Sequence, residues 1–145
     1  MRVLLVSCLL TFFFHSFAQI GEIRVGAVLP PGASPALEAV RNGLRMGEEE
    51  YDLNARLLGW RFRVLTATAP TPAAAAQVAE RFASQGVSAL VGGFAEQAPA
   101  LARVAQARRI PLLNIGDPSD RLRNEACNPY MFHLEASAAM YLDAL

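Results

Sequence analysis

The sequence predicts an α/β fold: a doubly wound parallel sheet with strand order 2-1-3-4-5 and helices on both faces. Three observations predict it. Short apolar, β-branched runs alternate along the chain with longer segments of helical periodicity. The two central runs, VSALVGGF at 87–94 and IPLLNIG at 110–116, are apolar at successive positions, as strands covered on both faces must be. Most of these runs close on Gly, Pro or polar residues, and a helix start follows at a spacing that suits right-handed crossovers.

The elements follow in order. EIRVGAVLP at 22–30 reads as a buried strand that Pro30, Pro31 and Gly32 end. Ser34 is a natural N-cap and Pro35 suits the first helical position, which predicts a helix over 35–52. Its inward stripe is Leu37, Val40, Leu44, Gly47 and Tyr51. Glu48, Glu49 and Glu50 are adjacent, so they point in different directions and read as a solvated face rather than a carboxylate pair. WRFRVLTA at 60–67 sets Trp60, Phe62 and Val64 against Arg61 and Arg63, the alternation of a half-exposed strand near an edge. Thr71 and Pro72 open a second helix to about Gln85, where Gly86 stops it. A third helix is expected over 98–109 with Leu101, Val104 and Ala105 inward. Residues 117–129 read as irregular. YMFHLEA at 130–136 is the fifth strand, and Ser137 caps a last helix carrying Met140, Tyr141 and Leu145.

Length and composition narrow the function. A chain of 145 residues, 53% hydrophobic and 18% charged, holds one domain with a real core. The 13 basic residues, all Arg, balance 13 acidic ones and form no stripe, which argues against a nucleic-acid partner. MRVLLVSCLLTFFFHSFAQ carries one Arg, an apolar stretch and small residues before Gln19. It reads as a cleavable secretory signal peptide over residues 1–18, with no stable membrane insertion after cleavage and a periplasmic product. LVSC at 5–8 matches a lipoprotein cleavage box, but almost no apolar segment precedes Cys8, so a soluble product is the expectation. Residues 19–145 hold one cysteine, Cys127, and one histidine, His133. A single cysteine cannot close an intramolecular disulfide, one Cys and one His do not make a metal site, and no cofactor is predicted.

In an open parallel sheet a ligand binds outside the carboxyl ends of the strands, where the connections diverge. The loops after strands one, three and four therefore form the expected wall. Its candidate ligand-binding residues are Ser34, Phe94, Glu96, Gln97, Asn114, Gly116 and Asp117. Gly residues admit close backbone approach, and the helix N-termini are expected to aim amides at the same place, which favours an anionic group. Phe94 offers an apolar or stacking surface. Glu96 and Asp117 repel a bare carboxylate and favour hydroxyl or cationic groups; in the alternative reading they only cap the helices that follow. The wall shows no Ser–His or Cys–His pair, and neither GxGxxG nor GxxxxGK[ST] occurs, so a binding wall fits better than a catalytic centre. DPSD at 117–120 reads as turn chemistry rather than a carboxylate pair.

These stretches resemble a known family. IRVGAVLP, NGLRMGEEEYD, PAAAAQVAERFASQGVSALVGGF and RIPLLNIG follow one another as in the first lobe of the type I periplasmic binding proteins, the family of the leucine/isoleucine/valine-binding protein. The resemblance covers residues 22–145. The run DRLRNEACNPYMFHLEASAAMYLDAL is also similar to a narrower branch that accompanies quinoprotein alcohol oxidation systems. The resemblance implies a non-enzymatic, two-lobed receptor that closes on a small organic molecule and delivers it to the permease of an ABC importer in the inner membrane. Residues 19–145 would then be its N-terminal lobe, with the second lobe beyond them. Members commonly hold an amino acid's carboxylate with Ser or Thr after strands three and four. Here Phe94-Ala95-Glu96-Gln97 and Asn114-Ile115-Gly116-Asp117 stand at those places, and Ala67-Thr68 replaces the acidic residue after strand two. These departures argue against a free amino acid as ligand. A ligand sensor on the same fold is the first alternative, and a small secreted flavodoxin-like enzyme the second.

Overall fold

The computed structural model describes residues 21–145, so the leader reading and the cleavage before Gln19 lie outside the described residues. Five parallel strands form one sheet in the order β2-β1-β3-β4-β5. They are β1 (Gly21–Leu29), β2 (Trp60–Thr68), β3 (Ala89–Gly92), β4 (Leu112–Asn114) and β5 (Met131–His133). Between them run the helices α1 (Pro35–Leu57), α2 (Pro72–Ser84) and α3 (Gln97–Arg108), and α4 (Ala138–Asp143) follows β5. A short 3₁₀ turn, Asp120–Leu122, lies within the stretch expected to be irregular.

The predicted caps form. Ser34 Oγ accepts the Leu37 N–H at 3.3 Å, and Thr71 Oγ1 accepts the Ala74 N–H at 3.1 Å. Each is followed by Pro at the first helical position, where the missing N–H costs nothing. α1 passes Asp52, where the sequence pattern ended it, and continues to Leu57. The extra turn is held by the i,i+4 pair Asp52–Arg56 and by a cation near the negative end of the helix dipole.

Asp52 also fastens α1 to the edge strand. Only 8% exposed, it accepts from Arg56 Nε and Nη2 at 2.9 and 2.6 Å, from Arg61 Nε at 3.1 Å and from the Phe62 N–H at 3.0 Å. The Phe62 amide, followed by the Arg56 guanidinium, holds its carboxyl well below the ordinary aspartate range. The folded protein therefore resists a proton that the unfolded chain accepts. The stability this contributes is present above about pH 4 and is lost as the pH falls further. Asp52→Asn is expected to unfold at lower urea at neutral pH and to flatten the acid-side decline. Identical acid slopes for the two proteins in urea titrations at several pH values would contradict this clamp.

Core packing is one-sided. Register places Val28, Leu90, Leu112 and Met131 on one face of the sheet. There they meet Val78, Ala79 and Phe82 of α2 and Leu101, Val104 and Ala105 of α3 in one buried cluster. Small residues on both helices let α2 and α3 lie close together over this face. The opposite face carries α1, of which only Leu37 and Asp52 are buried; Val40, Leu44 and Gly47 are half-buried and Tyr51 is exposed.

Candidate functional site

The carboxyl ends of β1, β3, β4 and β5 open on a cavity of about 580 Å³. Pro30 and Ser34 line it from the β1–α1 connection, Leu37 from α1, Phe94 from the loop after β3, Ile115, Gly116 and Pro118 from the loop after β4, and Glu135 from beyond β5. Three of the seven expected residues, Ser34, Phe94 and Gly116, meet here. Two others, Glu96 and Asp117, line a neighbouring cavity of about 320 Å³ with Ser119 and Arg121. The remaining two, Gln97 and Asn114, line neither. Gln97 is 6% exposed and donates from Nε2 to the Ala69 carbonyl at 2.7 Å, which ties the start of α3 to the loop after β2. Its Oε1 has no protein partner.

Asn114 builds the wall from inside. It is fully buried at the end of β4. Its Oδ1 accepts the Gly116 and Asp117 N–H groups at 3.3 and 3.1 Å. Its Nδ2 donates to the Asp117 carbonyl at 2.8 Å and lies 3.0 Å from His133 Nδ1. Burial, and then the Arg123 charge, push the His133 pKa below the ordinary histidine value. A neutral ring lets Nδ1 accept from the amide, which places the proton on Nε2. Two glycines permit the arrangement. Gly93 sits at φ +91°, and a Cβ there would stand 2.5 Å from Asn114 Oδ1. A Cβ on Gly116 would stand 2.5 Å from the Phe94 ring, so the ring packs against bare backbone.

Several of the amides expected to face an anion bond within the protein. Asn114 takes those of Gly116 and Asp117, and Asp117 Oδ1 takes that of Ser119 at 2.9 Å. In the first turn of α3 the Gln97 and Ala98 amides bond the Phe94 and Ala95 carbonyls, and Pro99 has none to offer. Glu96 does not cap α3: its backbone is helical and its side chain bonds no amide of the turn. Asp117 closes its own tight turn instead. Among the described residues no Arg lines the larger cavity, and its one ionisable group is the Glu135 carboxyl, which accepts from the Tyr141 hydroxyl. The surface is therefore mostly apolar, edged by a hydroxyl and a carboxylate.

Sequence reasoning missed Pro30, Ile115, Pro118 and Glu135. The sequence pattern carries the fifth strand over 130–136, through Glu135, but β5 stops at His133. Beyond it the Leu134 and Glu135 amides both turn onto the Asn114 carbonyl, which frees Glu135 for the cavity. Pro30 reads in the sequence as a strand terminator and Pro118 as part of a turn; both rings also line the cavity. Among the described residues no three of His, Cys, Asp and Glu come together as a metal site, and no helix is long and apolar enough to cross a membrane.

Comparison with known proteins fits this geometry. A family model described as periplasmic binding protein matches residues 22–145. A periplasmic binding protein from Burkholderia mallei superposes with a TM-score of 0.65 at 24% identity, over 80% of this chain and 32% of its own. An ABC-type branched-chain amino acid transporter protein from Rhodopseudomonas palustris gives 0.69 at 19%, over 81% and 33%. A solute-binding protein of an ABC transporter from R. palustris, solved in complex with 4-hydroxybenzoate, gives 0.62 at 18%, over 80% and 32%. The chain thus spans about a third of the length of these solved structures. No curated protein matches the chain.

Proposed function

The chain belongs to the periplasmic binding protein family, and from that membership we propose that it is the ligand-binding first lobe of a periplasmic receptor serving an ABC importer. The observation that carries this reading is the cavity of about 580 Å³ at the strand ends, in the place where an open parallel sheet binds ligands. Its chemistry favours a neutral molecule with a ring or short carbon skeleton and at least one hydroxyl. Phe94, Pro30 and Pro118 take the apolar body. The Ser34 hydroxyl, although it accepts from Leu37, still has a proton to donate, and Glu135 accepts one. A bare carboxylate would meet the Glu135 carboxylate and, among the described residues, no Arg in the lining. A branched-chain amino acid is therefore disfavoured, and a polyol-like metabolite or an aromatic alcohol is preferred. The second lobe would close over the ligand, and the permease would recognise the closed form.

Calorimetric titration of the two-lobed protein with 4-hydroxybenzyl alcohol, glycerol and L-leucine tests this. We expect one of the neutral hydroxyl compounds to bind and leucine not to. Gly116→Leu, which drives a side chain into the Phe94 ring, is expected to weaken binding about tenfold or more. Tight leucine binding that survives Gly116→Leu would refute both the ligand class and the placement of the site.

A further inference from the structure

The hydrogen bonds of Asn114 dictate which state of His133 the fold accepts. Three of them run to the loop after β4. Oδ1 accepts the Gly116 and Asp117 N–H groups at 3.3 and 3.1 Å, and Nδ2 donates to the Asp117 carbonyl at 2.8 Å. Backbone amides and carbonyls cannot exchange roles, so this side chain cannot turn over. A reversed amide would set N–H against N–H and oxygen against oxygen. The fourth bond, from Nδ2 to His133 Nδ1 at 3.0 Å, therefore requires a lone pair on that ring nitrogen. The ring also bonds the backbone of Leu122 in the 3₁₀ turn. One neutral imidazole at the end of β5 thus ties together the loop after β4 and the turn that follows it.

We propose that His133 is a pH-sensitive latch on the cavity wall: a proton on Nδ1 sets N–H against the Asn114 N–H and loosens the loop that carries Gly116 and Pro118. Asn114 is fully buried, so the conflict is relieved only by movement. If the ring leaves, Asn114 Nδ2 loses an acceptor; if the amide leaves, the Gly116 and Asp117 N–H groups lose theirs. The surrounding charges set where the ring titrates. Burial, and then Arg123 beyond the 3₁₀ turn, oppose the proton, whereas Asp117 in the loop after β4 favours it. The other ionisable groups of the neighbouring elements are directed elsewhere. Glu135 meets the Tyr141 hydroxyl of α4, Asp120 accepts the Ala139 N–H at 3.1 Å, and Arg121 and Glu96 line the smaller cavity. β4 brings no ionisable group. The net effect lowers the pKa, so the unfolded chain takes the proton first. Stability from the latch is present above about pH 6.5 and is lost as the pH falls toward the folded value. The inference concerns the loop itself and holds whichever ligand the cavity takes.

Amide hydrogen exchange, read by NMR beside the titration of the His133 ring, tests the latch. With intrinsic exchange rates divided out, the Gly116 and Asp117 amides are expected to lose protection about tenfold or more between about pH 8 and about pH 5, in step with the ring. The Leu90 amide, bonded to the Pro111 carbonyl at 2.8 Å in the core, should keep its protection over the same range. His133→Asn sets an oxygen near the place of Nδ1 and has no proton to gain, so its loop should stay protected throughout. Wild-type loop protection that ignores the ring's titration overturns the proposal, with or without the variant. So does an equal acid-side loss in His133→Asn, which would assign the effect to Asp117. A parallel loss at Leu90 overturns it as well, since the event would then be global unfolding.

Discussion

Asn114→Ala is expected to lower stability by about 2–4 kcal/mol, because each buried polar group left without a partner costs about 1–3 kcal/mol. The substitution strands the Gly116 and Asp117 amides, the Asp117 carbonyl and His133 Nδ1 together. Urea unfolding measures the loss, and ligand titration should show weakened binding, because the loop carrying Gly116 loses its internal support. Asn114→Asp separates the hydrogen-bond role from simple volume. It keeps the acceptor for both amides but sets a carboxylate beside the imidazole. His133, now shifted down by burial and Arg123, should then titrate at higher pH. An NMR titration of the ring reports this directly. An unchanged unfolding midpoint in Asn114→Ala, with an unmoved His133 titration in Asn114→Asp, would remove Asn114 from the scaffold.

The second large effect contrasts the two sheet faces. Leu90 is fully buried at the centre of β3, under α2 and α3. Leu90→Ala is expected to cost about 2–5 kcal/mol, the range for deletion of a packed Leu side chain. Whole domains hold only about 5–15 kcal/mol, and one face of this one is incomplete, so the variant of the 145-residue chain should be largely unfolded at moderate temperature. Leu113, one position along in β4 and on the other face, is only half-buried. Leu113→Ala in the same chain should cost under about 1 kcal/mol. Equal losses at the two positions, from matched denaturant curves, would mean that the open face is packed after all.

Much of the fold was legible because its signals are local. Ser34-Pro35 and Thr71-Pro72 mark helix starts through groups within one turn, and the caps formed as read. The apolar runs at 87–94 and 110–116 announced central strands because burial on both faces leaves no polar position. Strand ends were less legible. Only Ala89–Gly92 and Leu112–Asn114 pair within those runs, since sheet twist and neighbouring strand length, rather than hydrophobicity, decide where pairing stops. The α1 terminus was missed for a similar reason. Asp52 is polar and looks like an end, but its partners Arg61 and Phe62 arrive from β2.

The candidate site divides the same way. The alternation of strands and helices by itself determined that the loops after strands one, three and four would gather at one end of the sheet, where Ser34, Phe94 and Gly116 line one cavity. Composition by itself disfavoured a nucleic-acid partner. The tertiary structure alone decided which polar groups face outward. Asn114 and Gln97 read as wall residues but turn inward, because a strand end and a helix start brought together leave amides and carbonyls that only a buried side-chain amide can satisfy. Glu135 became a cavity residue only once β5 ended early. The bare face beneath α1 was likewise invisible in the sequence. An apolar residue at Leu113 or Ile115 states that it will be covered, whereas what covers it is set by segments distant along the chain, since hydrophobic attraction carries no address.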